Sequence, residues 1–339
     1  MNPFWILRHH ASSSIRSLHF SHHLLAVGDD GGMVSFVDLH SLRPVFKWTA
    51  HKESILTVLV IAKNQVVTHG RDNELKLWRL PNIPPSLGAS SSTATEATTP
   101  ELVRTIGVNA LNFSRCSYNP SSGKIAVPNA LDAAYIDILD LITGIRTHEA
   151  IGRPDIRPSA GNRLPIVMSL HLFEQEVIAG YEDGNVKKWN LDGHLLWEAK
   201  CHSESVMSIA IHKQGNFGIS VGADDRIAHF DCNSGKTKLA QMKKSGKAST
   251  AIAPDGKSFA VGGWDGSIHI YSTSGMTELG QLSYHRDTVE CLAFAHAITL
   301  GQEDASSSDE DQDDDDAKPT ELILAAGGRD GKISLWKYD

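Results

Sequence analysis

Six stretches of this chain share one internal spacing, and that spacing restricts the fold more than any other feature. They read AVGDDGGMVSF, VTHGRDNELKLW, IAGYEDGNVKKW, SVGADDRIAHF, AVGGWDGSIHIY and AAGGRDGKISLW. Each is a small apolar strand, a turn around an Asp, and an alternating strand that closes on an aromatic. The turn residues are Asp30, Asp72, Asp183, Asp224, Asp265 and Asp330, and six residues later stand Phe36, Trp78, Trp189, Phe230, Tyr271 and Trp336. Alternation at period two argues for half-buried strands. Upstream of four of these stretches lie HHASSSIRSLHF, AHKESILTVLV, CHSESVMSIAI and YHRDTVECLAF, each a His, a short polar stretch and another alternating run.

A seventh unit lies between Asp72 and Asp183. Residues 124–144, KIAVPNALDAAYIDILDLITG, give two strands with Leu139 and Asp140 where a Trp-Asp pair would stand, a turn about one residue longer, and the closing aromatic gone. The basic period is near 41, from Asp183 to Asp224 to Asp265. Repeats of this length mean a solenoid, a propeller or an array. A unit of four short antiparallel strands cannot bury both faces alone, and radial stacking of such units solves that problem. The repeats resemble the WD40 repeat over nearly the whole chain. The resemblance implies an all-β, seven-bladed WD40 β-propeller spanning residues 1–339 as one domain. The last alternating strand, ending at Trp336, has no fourth strand after it, whereas NPFWILRHH at the start has the form of a fourth strand running into a His. The N-terminal strand is therefore expected to complete the last blade, leaving no open edge.

In a blade of this kind the His, the turn Asp and the third-strand Trp can form a buried hydrogen-bonded chain. The residues expected in such chains are His51, Asp72 and Trp78, Asp183 and Trp189, His202, and His285, Asp330 and Trp336. Recurrence of the His–Asp pair across blades marks scaffolding rather than acid–base chemistry. His10 reads as the His before blade one's first strand. Blade three lacks the aromatic, blade five carries Phe230, and blade six has no His in register before KASTAIAP, so these blades are expected to rely more on packing.

Three stretches break the period. Residues 81–101 are Pro/Ser/Thr-rich and too poor in apolar side chains to order themselves; they are expected as a disordered insertion between the third and fourth strands of blade two. Residues 152–165 form an extended loop between blades three and four and carry Arg153, Arg157 and Arg163. Residues 300–321 form an acidic insertion between the first two strands of blade seven, expected to be disordered by self-repulsion. Here composition matters: the formal net charge is −8, and nine acidic side chains fall in 303–316 with no basic one. Removing those nine negative charges from −8 leaves +1, so the rest of the molecule is nearly neutral and lacks the basic stripe of a nucleic-acid binder. Ser308, followed by Asp309, Glu310 and Asp311, is a candidate phosphorylation site for an acidophilic kinase.

No apolar run approaches the ~18 residues that span a bilayer. The first eight residues lack the charged start and apolar stretch of a signal peptide. Cys116, Cys201, Cys232 and Cys291 have no CxxC spacing, so neither a disulfide frame nor a zinc site is expected. These features describe a soluble intracellular protein. No Gly-rich phosphate loop, convergent carboxylates or metal-ligand spacing is present: GDDGG is the turn of blade one, and no acidic or Cys partner stands at fitting sequence spacing from the pairs His9/His10 and His22/His23. The chain is expected to be no enzyme, with no cofactor and no metal.

In WD40 proteins the residue before the turn Asp tends to face the top of the ring. Here those residues are Asp29, Arg71, Glu182, Ala223, Trp264 and Arg329. Arg and Trp are enriched at interface hot spots, which makes Arg71, Trp264 and Arg329 the candidate partner-binding cluster. VNALNFSRCS, residues 108–117, replaces the ordinary His and plain strand of blade three. With GRDNELKLW, GGWDGSIHIY, YHRDTVECLAF and AAGGRDGKISLW it resembles the ASTRA-associated protein 1 family, called G-protein β-subunit-like proteins in animals. Asn109, Asn112 and Phe113 are the most telling positions. The resemblance implies a nuclear or nucleocytoplasmic scaffold, monomeric within a larger complex. Its implied partners are subunits of the ASTRA chromatin-remodelling assembly and of the cochaperone complex that matures phosphatidylinositol-3-kinase-like kinases, with no direct nucleic acid and no membrane. The alternative is a ubiquitin-ligase substrate receptor or another WD40 adaptor; such receptors usually carry Trp-Asp-x-Arg after the third strand, where this chain has Leu139-Asp140-Leu141-Ile142 and Trp78-Arg79-Leu80-Pro81.

Overall fold

Hairpin follows hairpin along the chain, and the period-two segments become strands that pair with their sequence neighbours. The computed structural model describes residues 2–10, 13–81, 99–110, 113–154, 163–296 and 322–338, and every regular element among them is a strand. The strands form seven four-stranded antiparallel sheets, the blades of a β-propeller. Blade one runs Ile15–Ser21, Leu24–Asp29, Met33–Asp38 and Arg43–Thr49 from the axis outward. Five more blades follow in chain order.

Blade seven is assembled from both ends of the chain. Val289–His296, Leu322–Gly328 and Ile333–Tyr338 supply its inner three strands, and Trp5–Leu7 supplies the outermost. Trp5 pairs with Leu335, Ile6 with Ser334 and Leu7 with Ile333, and the Phe4 amide donates to the Leu335 carbonyl at 2.9 Å. Leu7 turns inward and packs in one cluster with Ile15, Leu18, Cys291, Ile333 and Leu335, so blades seven and one share a core across the closure.

Two repeated devices lock blade to blade. Along the axis, Ser17, Ser117, Ser169 and Ser208 accept through Oγ from the amides of Val58, Leu172, Ile209 and Thr250 in the next blade, at 2.9–3.3 Å. At the turns, Gly32, Gly184 and Gly266 adopt φ of +79°, +82° and +80°, and a Cβ on any of them would collide with the carbonyl of the next blade's His51, His202 or His285. The amides of His51 and His202 donate back to Gly32 and Gly184 at 3.1 and 3.0 Å. Glycine is needed there both for the left-handed backbone and for the close approach.

Blade one departs from the register its sequence suggests. Gly28 pairs with Val34 in blade one, as Gly327 pairs with Ile333 in blade seven. Counting from these pairs, the place of Asp330 falls on Gly31 and that of Trp336 on Val37. Asp30 sits where Arg329 sits, on the rim, and Asp29, which the spacing assigned to the rim, is buried and turned inward. In blade three the turn between Pro128 and Ile136 holds residues 129–135, against 328–332 between Gly327 and Ile333. It is two residues longer rather than one, and Leu139 takes the Trp place.

Histidines are unusually deep. Burial holds the rings of His9, His19 and His171 down at about 4 and that of His69 at about 3. Neither ring nitrogen of His69 has a hydrogen-bond partner among the described residues. Groups whose folded pKa lies below the unfolded value of about 6.5 make the unfolded state bind more protons as pH falls. Stability should therefore decline from about pH 6.5 and continue down to about pH 4. Below that, Asp72 and Asp224, held under the ordinary carboxylate range although burial opposes it, lose the hydrogen bonds that favour their charged forms as they take up protons. Thermal melts at pH 7, 5.5 and 4.5 should show a stepwise drop; a melting temperature constant across that range would contradict the burial.

Candidate functional site

The turn face of the ring is built on polar chains whose linking atom is a hydroxyl. In blade two, His51 Nδ1 lies 2.8 Å from Asp72 and Nε2 lies 2.7 Å from Thr68 Oγ1, which also accepts from Trp78 Nε1 at 2.9 Å. In blade seven, His285 lies 3.0 Å from Asp330 and 2.9 Å from Ser334 Oγ, which accepts from Trp336 Nε1 at 2.8 Å. In blade five, His202 meets Asp224 and Ser220, both at 2.9 Å, and the chain ends there because Phe230 has no N–H. In blade one, His10 meets Asp29 and Ser35, both at 2.7 Å. Asp72 lies under the ordinary carboxylate range beside His51 and the Lys52 amide, and burial holds His51 down too, which describes a neutral ring on a carboxylate.

Thr68 and Ser220 each precede their turn Asp by four residues, a signal the sequence carried but which the His–Asp–Trp reading missed. Ser334 was not findable that way. It comes from the third strand, across the ladder rung from Ala326, which holds the expected place.

Asp183 and Trp189 do not share a chain. No His precedes blade four's first strand, so Asp183 accepts from Asn185 at 3.1 and 2.8 Å, while Trp189 Nε1 donates to the Tyr181 hydroxyl at 2.9 Å. Blade six replaces its absent His with Lys244, whose Nζ lies 2.9 Å from Asp265. Blade three centres on buried Asp137, which accepts from Asn129 at 2.7 Å, Ala150 at 2.9 Å and Arg146 at 3.1 Å. The ligand atoms of His51, Asp72 and Glu74 lie within 4.8 Å of one another. The cation among them is Lys76, 2.9 Å from Glu74 and 4.0 Å from Asp72.

The rim residues of blades six, seven and one form a hydrogen-bonded arc rather than isolated points. Thr288 Oγ1 donates to the Trp264 carbonyl at 3.4 Å, the Arg329 amide to the Thr288 carbonyl at 2.8 Å, and Ser14 Oγ to the Arg329 carbonyl at 3.2 Å. The Asp30 amide donates to Ser14 and the Arg71 amide to Ser54, both at 2.9 Å. Blades six, seven, one and two thus present Trp264, Arg329, Asp30 and Arg71 side by side. Glu182 lies on blade four's rim, where Arg163 pairs with it.

Blade three adds a residue that the rim alignment did not anticipate. Its innermost strand is only Ser117–Asn119, and the preceding segment reaches into the mouth of the central channel. Phe113 is 53 % exposed with φ of +59°, and the Arg71 guanidinium lies 4.0 Å above its ring. A bulky residue in the left-handed region is uncommon and such strain concentrates at functional sites. Arg115 crosses the channel to donate through Nη2 to the carbonyls of Arg16 at 3.0 Å and Glu290 at 2.7 Å. Trp264 is 47 % exposed, its ring lying against Gly246, where a Cβ would strike it. Asn112, Ser308, the acidic segment at 300–321, and most of the 81–101 and 152–165 stretches lie outside the described residues.

Seven closed four-stranded blades with repeated His–Asp–hydroxyl chains define a WD40 β-propeller. Consistent with this, the family "WD domain, G-beta repeat" matches residues 244–272. The chain belongs to the ASTRA-associated protein 1 family. It is 30% identical to ASTRA-associated protein 1 of Aspergillus flavus over 99% of this chain and 97% of that protein, and 28% identical to that of Schizosaccharomyces pombe over 99% and 98%. It is also 24% identical to mouse guanine nucleotide-binding protein subunit beta-like protein 1, over 98% and 95%. Fold and family are those of a protein-interaction scaffold.

Proposed function

We propose that this protein is a non-enzymatic scaffold of an ASTRA assembly, acting in the nucleus or between nucleus and cytoplasm. In that role it serves chromatin remodelling and the cochaperone-assisted maturation of phosphatidylinositol-3-kinase-like kinases. The observation that carries the reading is similarity over 99% of the chain, and 97% of the relative, to ASTRA-associated protein 1 of Aspergillus flavus. Arg71, Trp264 and Arg329, on one rim, are the proposed partner contacts. Affinity purification of the tagged chain followed by mass spectrometry tests this. Recovery of ASTRA and kinase-maturation cochaperone subunits is expected, reduced when all three residues are changed to Ala in a protein that still folds. Recovery of a cullin adaptor in their place would overturn the assignment.

A further inference from the structure

The channel mouth carries a charge imbalance and two exposed rings that together select an occupant. The channel encloses about 900 Å3, and among the described residues its charged lining is Arg16, Arg115 and Arg329 against Glu290. Arg16 is the one held by carboxylates, at 2.8 Å from Asp30 and 3.2 Å from Glu290. Arg71, Arg115 and Arg329 make no ion pair among the described residues. Guanidinium groups in that condition on a partly enclosed surface favour carboxylates, which they bind through paired N–H groups. The acidic turn residues cannot compensate, because Asp29, Asp72 and Asp330 are turned down onto His10, His51 and His285.

Beside these cations stand Phe113 and Trp264, each about half exposed and each fixed, one under Arg71 and the other against Gly246. Aromatic and Arg side chains that are rigid before binding are the usual anchors of interfaces. A small inorganic anion would leave both rings unused. A single-stranded nucleic acid would use rings and cations together, but it needs a basic groove that tracks its backbone, and outside the acidic stretch the chain is nearly neutral.

We infer that this mouth binds an acidic linear segment of a partner protein, with an apolar or aromatic side chain seated between Phe113 and Trp264 and carboxylates on Arg71, Arg115 and Arg329. The inference deepens the scaffold reading by giving the chemistry of what is scaffolded. It also assigns Phe113 and Arg115, from the segment special to this chain's blade three, to the binding surface.

The full-length chain, immobilised and exposed to a displayed library of random twelve-residue peptides, should enrich sequences in which Asp or Glu flank Trp, Phe or Leu. A synthetic peptide from the enriched set should lose at least tenfold in affinity to Arg329→Glu and to Trp264→Ala. Both side chains are exposed, so each variant should melt with the wild type. Several results would overturn the proposal: no enrichment, enrichment of neutral or basic sequences, or acidic peptides held equally by both variants. A twelve-nucleotide oligouridylate that binds the wild type and is lost in the same variants would also overturn it, in favour of nucleic acid. The library contains no cellular partner, so its outcome is separable from the purification. Peptides selected at the mouth with no ASTRA subunit recovered would sink the scaffold assignment alone, and the converse would sink only this surface.

Discussion

Deleting residues 1–7 should lower the melting temperature of the entire ring by about 10 °C, because those residues complete a blade rather than precede one. The loss has three parts. Leu7, only 4% exposed, leaves the cluster it shares with Ile15, Ile333 and Leu335, which costs roughly 2–3 kcal/mol of burial and more for the cavity left behind. The ladder from Phe4 and Trp5–Leu7 to Ile333–Leu335 disappears, at about 0.5–1.5 kcal/mol per net hydrogen bond. Finally, the strand Ile333–Tyr338 becomes an unprotected edge, which invites aggregation. Roughly 4–7 kcal/mol in all, at ~2 °C per kcal/mol for a chain of this size, gives the stated shift. Trp5→Ala is the control: Trp5 is half exposed at the outer surface and its loss should barely register. A truncated chain that melts with the full-length one would show that Trp5–Leu7 does not hold the ring closed.

His51→Ala should cost about 3–4 kcal/mol, more than the loss of either neighbour's contact alone. The ring is fully buried and joins Asp72 to Thr68, and its removal leaves a carboxylate and a buried hydroxyl without their shared partner. Trp78→Phe keeps the His–Asp and His–Thr contacts and gives up one N–H donor to Thr68, so it should cost about 1 kcal/mol. Asp183→Ala should cost less than Asp72→Ala, because Asp183 caps only its own turn through Asn185. Urea denaturation of the four variants gives the ranking. Equal losses for His51→Ala and Trp78→Phe would mean that the chain is not organised around the His.

The two predictions rest on features of different legibility. The closing strand was readable from NPFWILRHH because a fourth strand running into a His recurs blade after blade, and local alternation is a short-range property. The partners of His51 and His285 were half readable. Their Asp residues follow from the repeat, but Thr68 lies on the second strand and Ser334 on the third, and which rung of the ladder supplies the hydroxyl depends on pairing. Asp183 and Trp189 shared the repeat's spacing without its chain, because the missing His removed the acceptor's partner and Tyr181 took the indole instead.

Blade one shows most clearly where spacing misleads. Asp30 and Phe36 stand six apart like every other pair, yet the register of Gly28 on Val34 places Asp29 on His10 and leaves Asp30 on the rim. By itself the sequence determined the all-strand fold, the seven units, the closure by both ends and the family, since each follows from contacts between neighbouring hairpins or from matched residues. Tertiary structure alone decided which carboxylate each His holds, that the rim residues of blades six, seven and one are hydrogen-bonded into one arc, and that Arg115 spans the channel to Arg16 and Glu290. Those contacts join residues 99 and 175 positions apart. They arise only when the ring closes and brings inner strands from opposite sides of the axis within reach of one side chain.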